Sequence, residues 1–208
     1  MSGDALEIWL SDVVRRAGFA DVPAFVTHFG LKPYRLRQLY RAATKELLGG
    51  PGEVTPLPKE LRESLVARGV TFSAIEPVAL QRSRDGQTTK GLFRLPDGKE
   101  VEAVLMEHYG GRTTLCLSSQ AGCAFACAFC STGQAGFNRN LTAGEIFDQA
   151  WFFARELKAR DKRITNIVFM GMGEPFHNYA AVMEAVALLN DPQGFGLGHR
   201  HITISTVG

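Results

Sequence analysis

Cysteine is missing from almost all of this 208-residue chain: Cys116, Cys123, Cys127 and Cys130 are the whole complement. Cysteines so confined argue against a disulfide framework, which would be spread over a small secreted domain. Long apolar runs are also missing; none approaches the roughly 20 residues needed to cross a bilayer. The N-terminus, MSGDALEIWL, has no basic segment followed by an apolar core. No secretory leader is therefore expected, no membrane partner, and a cytoplasmic setting is the default. Charge of one sign is not in excess, since 23 Lys+Arg against 21 Asp+Glu leave +2. That balance neither demands nor excludes nucleic acid. Internal repeats and low-complexity tracts are absent. Metal-ligand spacing is absent among the histidines, so His28, His108, His177, His199 and His201 read as structural or solvent-exposed. The triplet 199–201 (HRH) is a candidate RNA contact.

What is present is concentrated. Residues 115–141 read LCLSSQAGCAFACAFCSTGQAGFNRNL and contain C-x3-C-x2-C, with Phe129 before the last thiol. Thiolates this close together point to a metal. Structural zinc wants four ligands, usually as two separated pairs; here one run supplies three, and Cys116 lies upstream on an expected strand. Cubane iron–sulfur clusters are normally held by four cysteine thiolates. A cluster with three protein ligands keeps one iron open to a substrate. Zinc and an iron–sulfur cluster both remain open on spacing alone.

The first seventy or so residues read as helices, over 5–17, from Asp21 with Pro23 in the first turn, over 34–48, and from Pro58 to Gly69. Arg35, Arg37, Arg41 and Lys45 crowd the third of these. From Pro77 to Ser118 the pattern favours strands, with Asp85-Gly86 and Asp97-Gly98 as hairpin turns. Beyond the cysteines, Thr142 and Glu145 form a capping box for a helix to about Lys158. Strands over 164–170 and 201–206 flank a helix over 179–189. The spacing predicts parallel βα units. The expected fold is α/β: a helical unit over 1–72, a β-meander linker over 73–111, and over 112–208 the first half of a partial (βα) barrel, truncated. Three such strands do not close a barrel.

Residues 171–175 (GMGEP) fall at the C-terminal end of a parallel strand, the edge where α/β domains bind ligands. Glycine lets the backbone approach a ligand, and Glu174 can pair with an ammonium group. Ser205 ends the last strand on the same edge.

Taken together, CLSSQAGCAFACAFCSTGQAGFNRNL, GMGEPFHN and HITISTVG resemble the RlmN/Cfr family of radical S-adenosylmethionine (SAM) RNA methyltransferases. The likeness covers nearly the whole chain and is closer to the RlmN branch, which methylates adenosine C2 in rRNA and tRNA. KPYRLRQLYRAATKELL and PLPKELRESL resemble that family's helical RNA-binding unit. The resemblance implies a [4Fe-4S] cluster on Cys123, Cys127 and Cys130, and SAM contacts from Gly173, Glu174 and Ser205. It implies that Cys116 resolves a covalent RNA adduct through a transient disulfide. Glu102 matches the family's proton acceptor, although the loop from Glu102 to Cys116 is one residue longer here. Implied partners are 23S rRNA near the peptidyl-transferase region, the tRNA anticodon loop, and an electron donor such as flavodoxin or ferredoxin, acting on a monomer. The family carries a second catalytic cysteine near its C-terminus, which bears the methyl group. No cysteine follows Cys130, so the chain is expected to be an N-terminal fragment, inactive alone. A C8-methylating Cfr-type enzyme and a non-catalytic zinc-stabilised RNA-binding module are the alternatives.

Overall fold

The computed structural model describes residues 4–125 and 127–207. Ala126, inside the cysteine spacing, and Gly208, at the end of HITISTVG, lie outside the described residues. Four helices come first: α1 (Ala5–Arg16), α2 (Val22–Phe29), α3 (Pro33–Thr44) and α4 (Lys59–Ala67). Asp4 and Asp21 cap the first two, accepting from the backbone N–H of Leu6 and Ala24, which satisfies donors that a helix start leaves unpaired. Helix α3 ends four residues earlier than its composition suggests. The Thr44 hydroxyl donates back to the Tyr40 carbonyl at 2.8 Å. Leu47 then takes a left-handed φ of 54°, and Leu47 and Leu48 turn inward onto the core. Apolar burial ends this helix before Gly49 can.

The strands β1 (Glu76–Arg82), β2 (Thr88–Arg94), β3 (Glu100–Glu107) and β4 (Thr113–Cys116) form an antiparallel meander. Strand β4 then pairs in parallel with β7 (Asn166–Phe169), and β7 with β8 (Ile202–Ile204). The result is one mixed six-stranded sheet, β1-β2-β3-β4-β7-β8. A separate two-stranded ribbon, β5 (Gln120–Gly122) with β6 (Phe137–Asn140), carries the cysteine loop. The short helix α5 (Ser131–Gln134) lies within that loop. The sheet is mixed α/β, as expected, and it is open; no closed barrel is formed among the described residues. No helix among them is long and apolar enough to cross a membrane.

Alternation gives the sheet two unlike faces. Phe93, Val101, Ala103, Leu105, Leu115, Ile167 and Phe169 are buried. On this side Phe93 meets Phe152 and Phe153 of α6 (Ala143–Lys158) at 5.0 and 5.9 Å between ring centroids. The other face carries Lys90, Glu102, Val104, Cys116, Val168 and Thr203, all less buried. Helix α6 begins in the capping box read from the sequence, and α7 (Tyr179–Asn190) packs beside it. The N-terminal helices dock on this layer through Trp151 Nε1 to the Ala43 carbonyl at 2.9 Å and Tyr40 Oη to Asp191 Oδ2 at 2.6 Å.

A buried ionic group lies where α1, α6 and the segment before β1 meet. Asp148 is 2% exposed and accepts from the Ala74 N–H at 2.6 Å and from Arg16 Nη1 at 3.4 Å. Arg16 Nε also faces Asp12 at 3.2 Å. Burial pushes the Asp148 carboxyl up to about 7, against the pull of Arg16 and the Ala74 N–H. A carboxyl raised by folding favours the folded state most when neutral. Its contribution is complete below the unfolded value of about 4 and is lost as pH rises through about 7. The shift corresponds to up to about 4 kcal/mol. Urea unfolding at pH 5 and pH 8 should therefore show a loss of stability in the wild type that is smaller in Asp148→Asn. Equal pH slopes in the two proteins would exclude Asp148 as the group responsible.

Candidate functional site

The cysteine loop is held at both ends. Strands β5 and β6 pair in the order Gln120 with Asn140, Ala121 with Arg139 and Gly122 with Phe137. The Cys123 N–H donates to the Gly136 carbonyl at 3.0 Å. Gly122 has φ 80°, and a Cβ there would run into the Gly136 carbonyl, so only glycine allows the ribbon to close. Arg139 clamps the return strand. Its guanidinium donates twice to Glu145 at 2.8 Å and twice to Asp97 at 2.7 and 3.1 Å. It holds the Asp97 carboxyl down at about 2. Glu145 is the buried capping-box glutamate of α6, so the loop is tied to the start of that helix and to the β2–β3 turn.

Within the loop all three thiols are free; Cys123 is buried, while Cys127 and Cys130 are partly exposed. The backbone N–H of Gly133, then the N–H and hydroxyl of Thr132, hold the Cys130 thiol below its ordinary pKa. That is the environment a thiolate ligand needs. Such a thiolate set suits zinc and an iron–sulfur cluster alike. Among the described residues no three His, Cys, Asp or Glu side chains are already gathered about one point.

The GMGEP turn is fastened to the segment that follows β4. Met172 N–H donates to Ser118 Oγ at 2.8 Å, and the Ser119 and Gln120 N–H groups donate to the Met172 carbonyl. Ser118 is held in turn by Gln149, which exchanges two hydrogen bonds with its backbone. Gly173 has φ 98°, and a Cβ there would lie 2.5 Å from Gln120 Cβ. The Glu174 N–H donates to Gln120 Oε1 at 2.8 Å. The Glu174 carboxylate is 5% exposed. It accepts from the Phe176 N–H at 3.0 Å and from the Val207 N–H at 3.1 Å. Burial works to raise its pKa, but the Thr206 hydroxyl, those two amides and the nearby His177 outweigh it, and the value falls below the ordinary one. The carboxylate stays charged.

A pocket of about 170 Å³ opens here, lined by Phe125, Glu174, Phe176, His177, Thr206 and Val207. It is walled by the cysteine loop, the GMGEP turn and the chain after β8, which lie far apart in sequence. Ser205 is exposed beyond the end of β8 and does not line it; the next residue, Thr206, does. Gln120, Asn140 and Asn178 were not legible as site residues. Asn178 donates to the Ser119 and Leu141 carbonyls at 2.8 and 2.9 Å and so pins the start of α7 to the residues where the ribbon begins and ends. Only their polarity beside apolar positions marked them, and that signal is shared with any loop.

Glu102 and Cys116 share the open sheet face. Val104 faces Cys116 across β3 and β4, so Glu102 sits diagonally from Cys116, roughly 7–8 Å away for such pairs. The turn between β3 and β4 runs through Gly110 and Gly111, both of positive φ. Lys90 Nζ lies 2.9 Å from Glu102 Oε1. Burial raises the Cys116 thiol, opposed by the Met170 N–H. Cys116 is a free thiol, as are the other three cysteines. No disulfide is present among the described residues, so the transient disulfide expected of Cys116 is not supported here, and its sulfur instead meets the Met170 N–H.

Comparison with known proteins bears on the same residues. The Radical SAM superfamily model matches residues 117–208. A probable dual-specificity RNA methyltransferase RlmN of Chloroflexus aurantiacus is 45% identical over 194 residues, covering 91% of this chain and 51% of the relative. The dual-specificity RNA methyltransferase RlmN of Magnetococcus marinus is 46% identical over 183 residues, covering 88% of this chain and 51% of that protein. The crystal structure of a radical SAM methyltransferase from Sphaerobacter thermophilus superposes with a TM-score of 0.83 at 43% identity. It covers 91% of this chain and 55% of the solved one. The chain spans about half the length of the curated relatives it matches.

Proposed function

We propose that this chain, which is similar to RlmN-type methyltransferases over about nine-tenths of its length, forms the cluster- and SAM-binding part of a radical SAM enzyme methylating adenosine C2 in 23S rRNA and tRNA. The observation that carries the reading is the pocket in which Phe125 of the cysteine loop, Glu174 of GMGEP and Thr206 meet. Cys123, Cys127 and Cys130 would hold a [4Fe-4S] cluster, which supplies the electron that starts radical chemistry. Glu174, charged and buried, takes the SAM ammonium; its two oxygens already accept backbone N–H groups and keep lone pairs for one more donor. Gly173 lets the backbone close on the ligand, and Ser205, one residue before the pocket-lining Thr206, contacts SAM outside the pocket itself. Cys116, raised by burial, needs a base before it can attack as a thiolate. Glu102, on the same face, would accept the proton lost from adenine C2. The helices over 1–72 present Arg37, Arg41 and Lys45 to RNA phosphates.

Glu174→Ala should weaken SAM binding by about 1.5–3 kcal/mol, the scale of a hydrogen bond to a charged group. Iron and sulfide content should not change. Anaerobic calorimetry reads the first and metal analysis the second; unaltered SAM affinity returns GMGEP to a plain turn. Zinc without sulfide would point instead to a structural module. Mass mapping of the modified base made by the full-length enzyme separates C2 from C8 methylation.

A further inference from the structure

His177 follows GMGEP by two residues and lines the same pocket. Its ring is wedged edge-on between Phe125 and Phe137, at 5.9 and 5.7 Å between centroids. Its Nδ1 lies 3.0 Å from Gln120 Nε2. The roles in that contact follow from the network around Gln120, which is fully buried. The Glu174 N–H can only donate, so the Gln120 atom 2.8 Å from it must be the amide oxygen. The other end of Gln120 is then the NH₂ group. One of its protons goes to Asn140 Oδ1 at 2.7 Å. Asn140 is oriented consistently, since its own Nδ2 reaches the His177 carbonyl at 3.4 Å. The remaining Gln120 proton points at His177 Nδ1, which must accept. A neutral imidazole that accepts at Nδ1 carries its proton on Nε2. Gln120 is buried and takes up Nδ1, whereas His177 is exposed and lines the pocket, which leaves Nε2–H as the ring's donor on the pocket side.

The pocket therefore offers two complementary polar groups: a buried carboxylate that accepts and an imidazole N–H that donates. An α-amino-acid head, with one ammonium and one carboxylate, matches both. We infer that His177 is a ligand-binding residue, held by Gln120 as the tautomer whose Nε2–H donates to the carboxylate of the amino-acid head that Glu174 holds by its ammonium. This rests on the proposed SAM site and adds a carboxylate contact to it.

Two measurements test the inference. The first needs no ligand: ¹⁵N-resolved NMR of His177 above about pH 8, where an ordinary histidine is neutral, should show Nδ1 bare and Nε2 protonated. The opposite tautomer would overturn the inference. The second compares anaerobic binding of SAM and of decarboxylated SAM to the cluster-loaded protein. His177→Phe keeps the ring contacts but has no donor, and should weaken SAM by about tenfold or more. It should leave decarboxylated SAM within about twofold, because that ligand has no carboxylate to lose. His177→Gln restores an N–H donor and should recover most of the SAM affinity. Equal losses for both ligands, or none for SAM, would overturn the carboxylate contact while the SAM site stands. Failure of the wild-type protein to bind SAM at all would instead overturn the site itself, with the tautomer still decided by NMR.

Discussion

After anaerobic reconstitution, Cys123→Ala, Cys127→Ala and Cys130→Ala should each fail to retain iron and acid-labile sulfide, whereas the wild type should hold about four irons. The expectation is all-or-none because each thiolate is one of only three protein ligands, and losing one leaves half a cubane unsupported. Cys130 is the best prepared of the three, since Gly133 and Thr132 favour its thiolate. Cys116 is the control. It lies on β4, where burial favours the neutral thiol, and the ribbon β5–β6 carries the other three in a separate loop. Cys116→Ala should keep full iron content. Loss of the cluster in that variant would make Cys116 a ligand and remove it from the adduct-resolving role proposed for it.

Gly173→Ala should destabilise the fold and abolish SAM binding together. A side chain at φ 98° costs roughly 1–3 kcal/mol of backbone strain. The added Cβ also meets Gln120 at its Cβ, Cγ and backbone nitrogen, at 2.5, 2.6 and 2.8 Å. Overpacking of that kind costs about 1–3 kcal/mol more. Because the neighbouring Glu174 N–H is held by the same Gln120, any shift that relieves the clash moves the carboxylate. Gly196→Ala isolates the strain: it has φ 76°, but its nearest neighbours lie 4.0 Å away. Urea denaturation should rank wild type above Gly196→Ala and Gly196→Ala above Gly173→Ala, and only the last should lose SAM in calorimetry. Indistinguishable stabilities for the two variants would show that Gln120 gives way, and would remove the steric argument for glycine in the turn.

Local chemistry made much of the chain readable. Asp21, Pro23 and the pair Thr142 and Glu145 announced helix starts, because a cap is satisfied within three residues. Strand β3 was legible over its whole length from alternation of polar and apolar residues. The cysteine spacing and GMGEP were legible as chemistry for the same reason, being short stretches whose residue types have few other uses. Where burial competed with local signals the reading failed. Helix α3 stops at Thr44 because Leu47 and Leu48 turn into the core, and no residue near Gly49 reveals that.

The sequence by itself determined the α/β class, the cysteine spacing that suggests a metal, and the motifs that carry the likeness to RlmN-type methyltransferases. All three depend on residue types at short separations. Tertiary structure alone decided which side chains meet at the pocket. Gln120 reaches Glu174 across 54 residues, Arg139 reaches Asp97 across 42, and the segment after β8 delivers Thr206 rather than Ser205 to the Glu174 carboxylate. Such partners are chosen by strand register, since a shift of one residue turns a side chain to the opposite face. The tautomer of His177 follows from the same constraint, because it is set by hydrogen bonds between side chains that only the folded ribbon brings together.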